Sequence, residues 1–205
     1  MVSDKYSFSS RTDSANIPRR FEEYGKFCGL SPTNARILSL LSEEMVGMVK
    51  AILPEFDAVI HAQNENNRFE IILSVDAIIK SKEYDELLKA SDGKNSAFGK
   101  GLLGKIGDMF VTWAVNLNDN PAPMMSYTGM EMGSGISMVN GFEEWSMKMY
   151  LENLEEGRKP EVPDDGLERS IIVNLADDCK MSVKSSSVVM TVVKSFEETG
   201  FTSKK

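Results

Sequence analysis

The stretch from Ser31 to Pro54 constrains the fold most, because apolar residues recur along it at helical spacing. Steps of three and four residues place these side chains on one broad face of a helix. Ser31 can cap the first turn, Pro32 suits the first helical position, and Pro54 ends the helix. The stretch therefore predicts one long helix that buries a face in a core. The apolar positions are Ile37, Leu38, Leu41, Met45, Met48, Val49 and Ile52.

The segments on either side of this helix predict a second helix and a small sheet. Residues 5–10 alternate aromatic and polar side chains, as a short edge strand does. An amphipathic helix follows and is expected to end near Gly29. Residues 56–63 and 68–77 predict an antiparallel hairpin with one face on a core, because the second run alternates apolar and polar residues.

Residues 119–168 differ in composition from the rest of the chain. They hold four of the seven prolines and seven of the thirteen methionines. A helix is predicted over 142–157, where apolar residues recur at helical spacing. Beyond this region, strands are predicted over 169–185 and 187–196.

Together these elements predict an α+β fold, a two-layer sandwich in which helices cover one face of a mixed, mostly antiparallel sheet. Residues 1–118 and 169–205 are expected to form this domain, with 119–168 as an insertion. The insertion can pack on the domain, the alternative that we favour. It can also provide a pliable methionine-rich surface that binds partners.

Composition narrows the class of function. The net charge is -8 and the chain has no basic cluster, which argues against nucleic-acid binding. The two cysteines and the single histidine have no metal-ligand spacing, and no apolar run is long enough to span a bilayer. We therefore expect a cytoplasmic protein without a structural metal, away from nucleic acid and membrane.

The order of elements in residues 5–112 resembles the ATP-binding domain shared by gyrase, heat-shock chaperones, histidine kinases and mismatch-repair proteins, the GHKL group. The sequence PRRFEEYGKFCGLSPTNARILSLLSEEMVGMV (18–49) is most similar to the small anti-sigma-factor serine kinases. The shared features are an arginine-bearing helix, a glycine break and a long helix carrying Ser-Glu-Glu. The resemblance implies a histidine-kinase-like ATPase fold, with strands in 170–196 closing the sheet.

The long helix carries the first motif of that family, a Glu followed four residues later by an Asn on the same face. In the family the Glu positions or activates the attacking group, and the Asn oxygen holds Mg²⁺ at the phosphates. Glu44 stands at the Glu position and is the candidate catalytic residue, whereas Met48 stands at the Asn position. A thioether is a very poor ligand for Mg²⁺. Shifting the register to Glu43 places Gly47 there, and glycine offers no side-chain oxygen.

Two further motifs of the family bind the nucleotide itself. Asp76 stands where an Asp of the family hydrogen-bonds the adenine amino group, but residues 77–80 lack the glycines that follow it there. Gly99 and Gly101 fit a Gly-x-Gly before a helix whose N–H groups bind phosphate. The glycines of 133–135 fit this third motif nearly as well.

Each candidate also has a purely structural interpretation. Glu43 and Glu44 can lie on the solvent side of the helix, and Met48 can be a core residue. Asp76 can be a turn residue, and the glycine pair can form a turn that precedes a helix.

The missing motifs lead to the hypothesis of a regulatory, protein-binding module that has lost catalysis, binds nucleotide weakly or not at all, and needs no cofactor. By resemblance, its partner is a sigma factor, an anti-sigma antagonist or a response-regulator-like protein, and a homodimer is left open. The alternative is an active serine/threonine kinase that uses ATP and Mg²⁺. A third hypothesis is an unrelated α+β domain with a structural or small-molecule-binding role.

Overall fold

The computed structural model describes five parts of the chain, which are residues 1–77, 136–139, 142–155, 170–184 and 187–197. In chain order these parts form β1 (Tyr6–Ser9), α1 (Ile17–Phe27), α2 (Pro32–Ile52), β2 (Phe56–Glu65), β3 (Arg68–Ala77), β4 (Ile136–Val139), β5 (Phe142–Ser146), α3 (Met147–Glu155), α4 (Ile171–Leu175), β6 (Asp178–Lys184) and β7 (Ser187–Ser195).

The described strands form one open sheet of seven strands in the order β1-β2-β3-β7-β6-β5-β4. Every neighbouring pair in this order is antiparallel. The prediction of an α+β fold with a mostly antiparallel sheet is confirmed to this extent, and the described pairs include no parallel one. β4 and β5 fall inside the predicted insertion 119–168, yet they extend the same sheet as the strands on either side of it.

Local signals in the sequence explain where the two long helices begin and end. The side chain of Ser31 accepts a hydrogen bond from the backbone N–H of Asn34 at 3.2 Å, so it caps α2 as predicted. Pro32 occupies the first turn, and α2 ends two residues before Pro54. α1 ends just before Gly29, whose φ of +91° suits glycine.

The hairpin of β2 and β3 turns more tightly than predicted. Asn66 and Asn67 form a two-residue turn, with φ of 51° and 60°, and β2 extends two residues beyond its predicted end, to Glu65. Such a turn requires positive φ at both central residues, which asparagine tolerates better than most residues.

Two predictions of secondary structure were wrong. Residues 142–146 form strand β5 instead of the start of a helix, so the helix begins only at Met147. Residues 171–175 form the short helix α4 instead of a strand. The side chain of Ser170 caps α4 by accepting from the backbone N–H of Val173 at 3.4 Å. A local cap and packing on α2 therefore override the strand preference of these β-branched residues.

One hydrophobic core joins α2 to the inner face of the sheet. The buried residues of α2 belong to the same cluster as alternate residues of β2, β3, β6 and β7. In β3 these residues are Phe69, Ile71, Leu73 and Val75, which are nearly inaccessible to solvent, whereas the residues between them are more exposed. Alternation thus fixes which side of the sheet each residue of β3 faces.

α1 packs closely on α2 through a glycine. A Cβ atom added at Gly25 would lie 3.1 Å from the Cα and Cβ atoms of Ala35 and 3.1 Å from Leu38 Cδ1. Gly47 in α2 provides a matched comparison, since among the described residues a Cβ added there would meet no atom within 4 Å.

We predict opposite effects for alanine at these two helical glycines. Gly25→Ala should lower the free energy of unfolding by about 1 kcal/mol or more, because the two helices must separate. Gly47→Ala should raise it by roughly 0.4–1 kcal/mol, because alanine favours the helix and has room. Urea unfolding of both variants tests this prediction, and a destabilised Gly47→Ala would contradict it.

Candidate functional site

The Ser42-Glu43-Glu44 triplet of α2 points in three directions. Ser42 is fully buried, and its hydroxyl donates to the Ser39 carbonyl oxygen at 2.8 Å within the helix. Glu43 is exposed, as its structural interpretation predicted. Glu44 is half-buried and lies on a third side of the helix. On this side α4 packs against α2.

The carboxylate of Glu44 lies near the start of α4. The backbone N–H of Ile171, the first residue of that helix, is close enough to favour the charged form of this carboxylate. Burial raises the pKa of Glu44 above its ordinary value, the Ile171 N–H opposes that rise, and the nearby Glu43 charge adds to it. Glu44 thus lies beside the end of α4 that the Ser170 side chain caps.

Met48 lies one turn beyond Glu44 and packs against the hydrophobic core while remaining half-buried. Ile171 of α4 packs against the same core. The edge of α2 that the resemblance assigns to metal and phosphate therefore combines a carboxylate beside the start of α4 with an apolar thioether. Among the described residues, no group of three or more His, Cys, Asp or Glu could hold a metal ion.

Asp76 lies on the other side of the sheet from the core. Val75 belongs to the core face of β3, so Asp76 faces away from it by strand alternation. Its carboxylate accepts a hydrogen bond from the Ser187 hydroxyl of β7, and it stands opposite Asp57 of β2. Asp76 and Glu44 thus have different partners, on β7 and on α4.

Asp76 also lines an open pocket of about 300 Å³ at the end of the sheet. This pocket carries three carboxylates, from Glu55, Asp57 and Asp76, against the single guanidinium of Arg11. Arg11 is paired with Glu55 at 2.6 Å. The phosphates of a nucleoside triphosphate would be repelled by the excess negative charge here, so the pocket is a poor site for phosphates.

Only one of the two glycine pairs predicted as a phosphate-binding motif can be compared with the structure. Gly99 and Gly101 lie outside the described residues. The second glycine pair, in 133–135, also lies outside them, but the residues that follow it form strand β4. This second pair therefore does not precede a helix, as the phosphate-binding motif requires.

Sequence reasoning missed a charged cleft of about 560 Å³ between α1 and α2. Glu22 lies in it with Lys26 at 2.6 Å and Arg36 at 3.5 Å, and the pKa of Glu22 is lowered, mainly by its hydrogen bond with Lys26. The spacing of four between Glu22 and Lys26 is a visible signal for such a pair. Neither this cleft nor the pocket at Asp76 is lined by Glu44 or Met48.

Comparison of the chain with family models, with curated proteins and with solved structures found no match. None of the helices that the structure describes combines the length and the apolar character needed to cross a bilayer.

We predict that Glu44 stabilises the fold through the Ile171 N–H. Glu44→Ala should lower the free energy of unfolding by about 1–2 kcal/mol, because the start of a helix loses a favourable carboxylate neighbour. Glu43→Ala, at the adjacent exposed position, should change it by less than about 0.5 kcal/mol. Denaturant unfolding of the two variants provides the measurement, and equal effects would contradict this role.

The raised pKa of Glu44 also predicts a pH dependence. A carboxyl group whose pKa is higher in the folded than in the unfolded chain destabilises the fold as the pH rises above the pKa of the unfolded chain, near 4.5. Glu44→Gln keeps an acceptor for the Ile171 N–H and cannot ionise. This variant should therefore be more stable than the wild type at neutral pH and equal to it in acid. A Gln variant that is less stable at neutral pH would contradict this prediction.

Proposed function

We propose that the chain is a regulatory protein-binding module on a histidine-kinase-like ATPase fold. In this proposal it does not transfer phosphate and binds nucleotide weakly or not at all. By resemblance it acts in bacterial signal transduction in the cytoplasm, and its partner is a sigma factor, an anti-sigma antagonist or a response-regulator-like protein.

The observation that carries this proposal is the arrangement along the edge of α2. Glu44 lies beside the Ile171 N–H, and Met48 stands where the resemblance expects the metal ligand. Phosphoryl transfer depends almost entirely on positioning and on neutralising phosphate charge, for which Mg²⁺ is needed. A site without an oxygen ligand at position 48 loses the main means of doing this.

The position of Asp76 supports the same proposal. Asp76 faces away from the core that α2 forms with the sheet and accepts a hydrogen bond from Ser187, so it does not share a face of the sheet with Glu44 and Met48. The carboxylates beside it add negative charge rather than remove it. Two of the three nucleotide motifs therefore lack the chemistry or the orientation that binding requires.

The charged cleft between α1 and α2 is a surface where a protein partner can bind. Its walls carry exposed side chains of both signs, from Arg19, Lys26 and Arg36 and from Glu23 and Glu43. Complementary charges at such a surface give specificity and fast association with a partner protein.

One observation favours the alternative of an active ATP-dependent kinase. Glu44 is half-buried with a raised pKa, which is also the property of a general base. In that case the chain would hydrolyse or transfer phosphate with Mg²⁺, and Glu44→Gln, which keeps an oxygen beside the start of α4, would abolish turnover.

We predict that ATP with Mg²⁺ leaves the melting temperature of the protein unchanged. A ligand present at about 100 times its Kd would stabilise the fold by about 2.7 kcal/mol, which a melting scan detects readily. ADP, and Mg²⁺ without nucleotide, are the controls. Stabilisation that needs both ATP and Mg²⁺ would contradict the proposal, and its loss in Met48→Lys would locate the nucleotide at this edge of α2.

A further inference from the structure

Ser39 of α2 is a buried polar residue for which the fold provides no partner. Only 4% of the residue is exposed, and it lines the charged cleft between α1 and α2. Ser42, one turn further along, donates its hydroxyl to the backbone of the helix. In the part of the chain that the structure describes, the Ser39 hydroxyl makes no hydrogen bond. Because a buried hydroxyl without a partner is unfavourable, a ligand that enters the cleft and bonds to it gains free energy.

The ion pairs of the charged cleft leave one carboxylate beside Ser39 without a cation. Each of the three cations that the structure describes in the cleft pairs with a carboxylate of α1. These pairs are Lys26–Glu22 at 2.6 Å, Arg36–Glu22 at 3.5 Å and Arg19–Glu23 at 3.0 Å. Among the described residues, no cation pairs with Glu43, which also lines the cleft. Glu43 follows Ser39 by four residues, so the two lie on one side of α2 with Cβ atoms roughly 5–6 Å apart.

A guanidinium group matches this hydroxyl and carboxylate. It is a cation with several N–H donors in a planar fork, so it can donate to the Ser39 oxygen and to the Glu43 carboxylate together. An ammonium group is compact and more strongly hydrated, which disfavours it next to a residue as buried as Ser39. An anion is disfavoured, because Glu43 would repel it and the described cations of the cleft already have partners. The cleft, of about 560 Å³, has room for an arginine side chain between the two helices.

We propose that the charged cleft binds an arginine side chain of a partner protein, with its guanidinium between Ser39 and Glu43. The inference rests on the proposed function, because it names the group through which the partner is recognised. The charge-assisted hydrogen bond to Glu43 supplies most of the binding energy. The bond to the Ser39 hydroxyl adds selectivity for a group that reaches both acceptors at once.

Titration of the isotope-labelled full chain with N-acetyl-L-arginine N-methylamide, followed by nuclear magnetic resonance, tests this site. Backbone amide signals of the cleft residues in α1 and α2 should shift and saturate, with a Kd on the order of 1 mM, as suits a ligand of this size. The citrulline analogue has a similar shape without the charge and should bind at least about tenfold more weakly. The lysine analogue should bind about threefold more weakly or worse, because its ammonium does not reach both acceptors.

Two substitutions test the two contacts separately. Glu43→Gln removes the charge and should weaken binding of the arginine compound at least about tenfold. Ser39→Ala removes one hydrogen bond and should weaken it about threefold or more. Both variants should unfold at the urea concentration of the wild type or above it, because neither side chain has a partner among the described residues. Glu65→Gln, at an exposed position of β2 that does not line the cleft, is the matched control and should bind as the wild type does.

The arginine site is overturned if the arginine compound leaves the α1 and α2 signals unchanged, or if the citrulline or lysine analogue binds equally well. It is also overturned if Glu43→Gln and Ser39→Ala bind the compound as the control does. These results leave the proposed function standing, because the melting scan with ATP and Mg²⁺ tests that function separately. Stabilisation that needs both ATP and Mg²⁺ contradicts the proposed function, whatever the result with arginine.

Discussion

The Glu44 carboxylate lies beside the Ile171 N–H where α4 meets α2, and the character of the candidate site depends on this contact. The N–H is an unpaired donor at the start of a helix, for which a carboxylate is a favourable neighbour. It also gives a partner to a carboxylate whose burial raises its pKa. A residue that the resemblance assigns to catalysis is thereby used to attach one element of the fold to another.

α2 shows how one helix can serve three purposes through its three sides. Its apolar side forms the core with the sheet, and its Glu44–Met48 edge receives α4. Its exposed side is bordered by the charged cleft at Glu43 and continues to Gly47. The sheet behind it separates this helix from Asp76, whose carboxylate belongs to the opposite face. The residues that the resemblance assigns to a nucleotide site are thus divided between the two faces of the sheet.

The sequence predicted those elements whose signals are local. Ser31, Pro32 and Pro54 bound α2, and the alternation of residues 68–77 identified β3, so both were predicted closely. α4 was predicted as a strand, because its β-branched residues favour one and its attachment to Glu44 joins residues distant in the sequence. β5 was predicted as helix for a similar reason, since its pairing with β6 is not visible in its own composition.

The site shows the same limit, with one exception. The partner of Glu44 could not be predicted, because nothing near residue 44 indicates residue 171. The orientation of Asp76, in contrast, can be predicted from the sequence. The apolar alternation that ends at Val75 places the next residue on the other face of the sheet. The position of a residue at the end of a strand does not decide which face its side chain lies on; whether it is an odd or an even step from the core residues does.

The most direct test of the account is a crystal structure of the protein with a non-hydrolysable ATP analogue and Mg²⁺. The account predicts that the Glu44 carboxylate stays beside the Ile171 N–H, with Met48 against the core and no metal beside either residue. Ordered Mg²⁺ bridging analogue phosphates next to Glu44, with α4 displaced from α2, would contradict it.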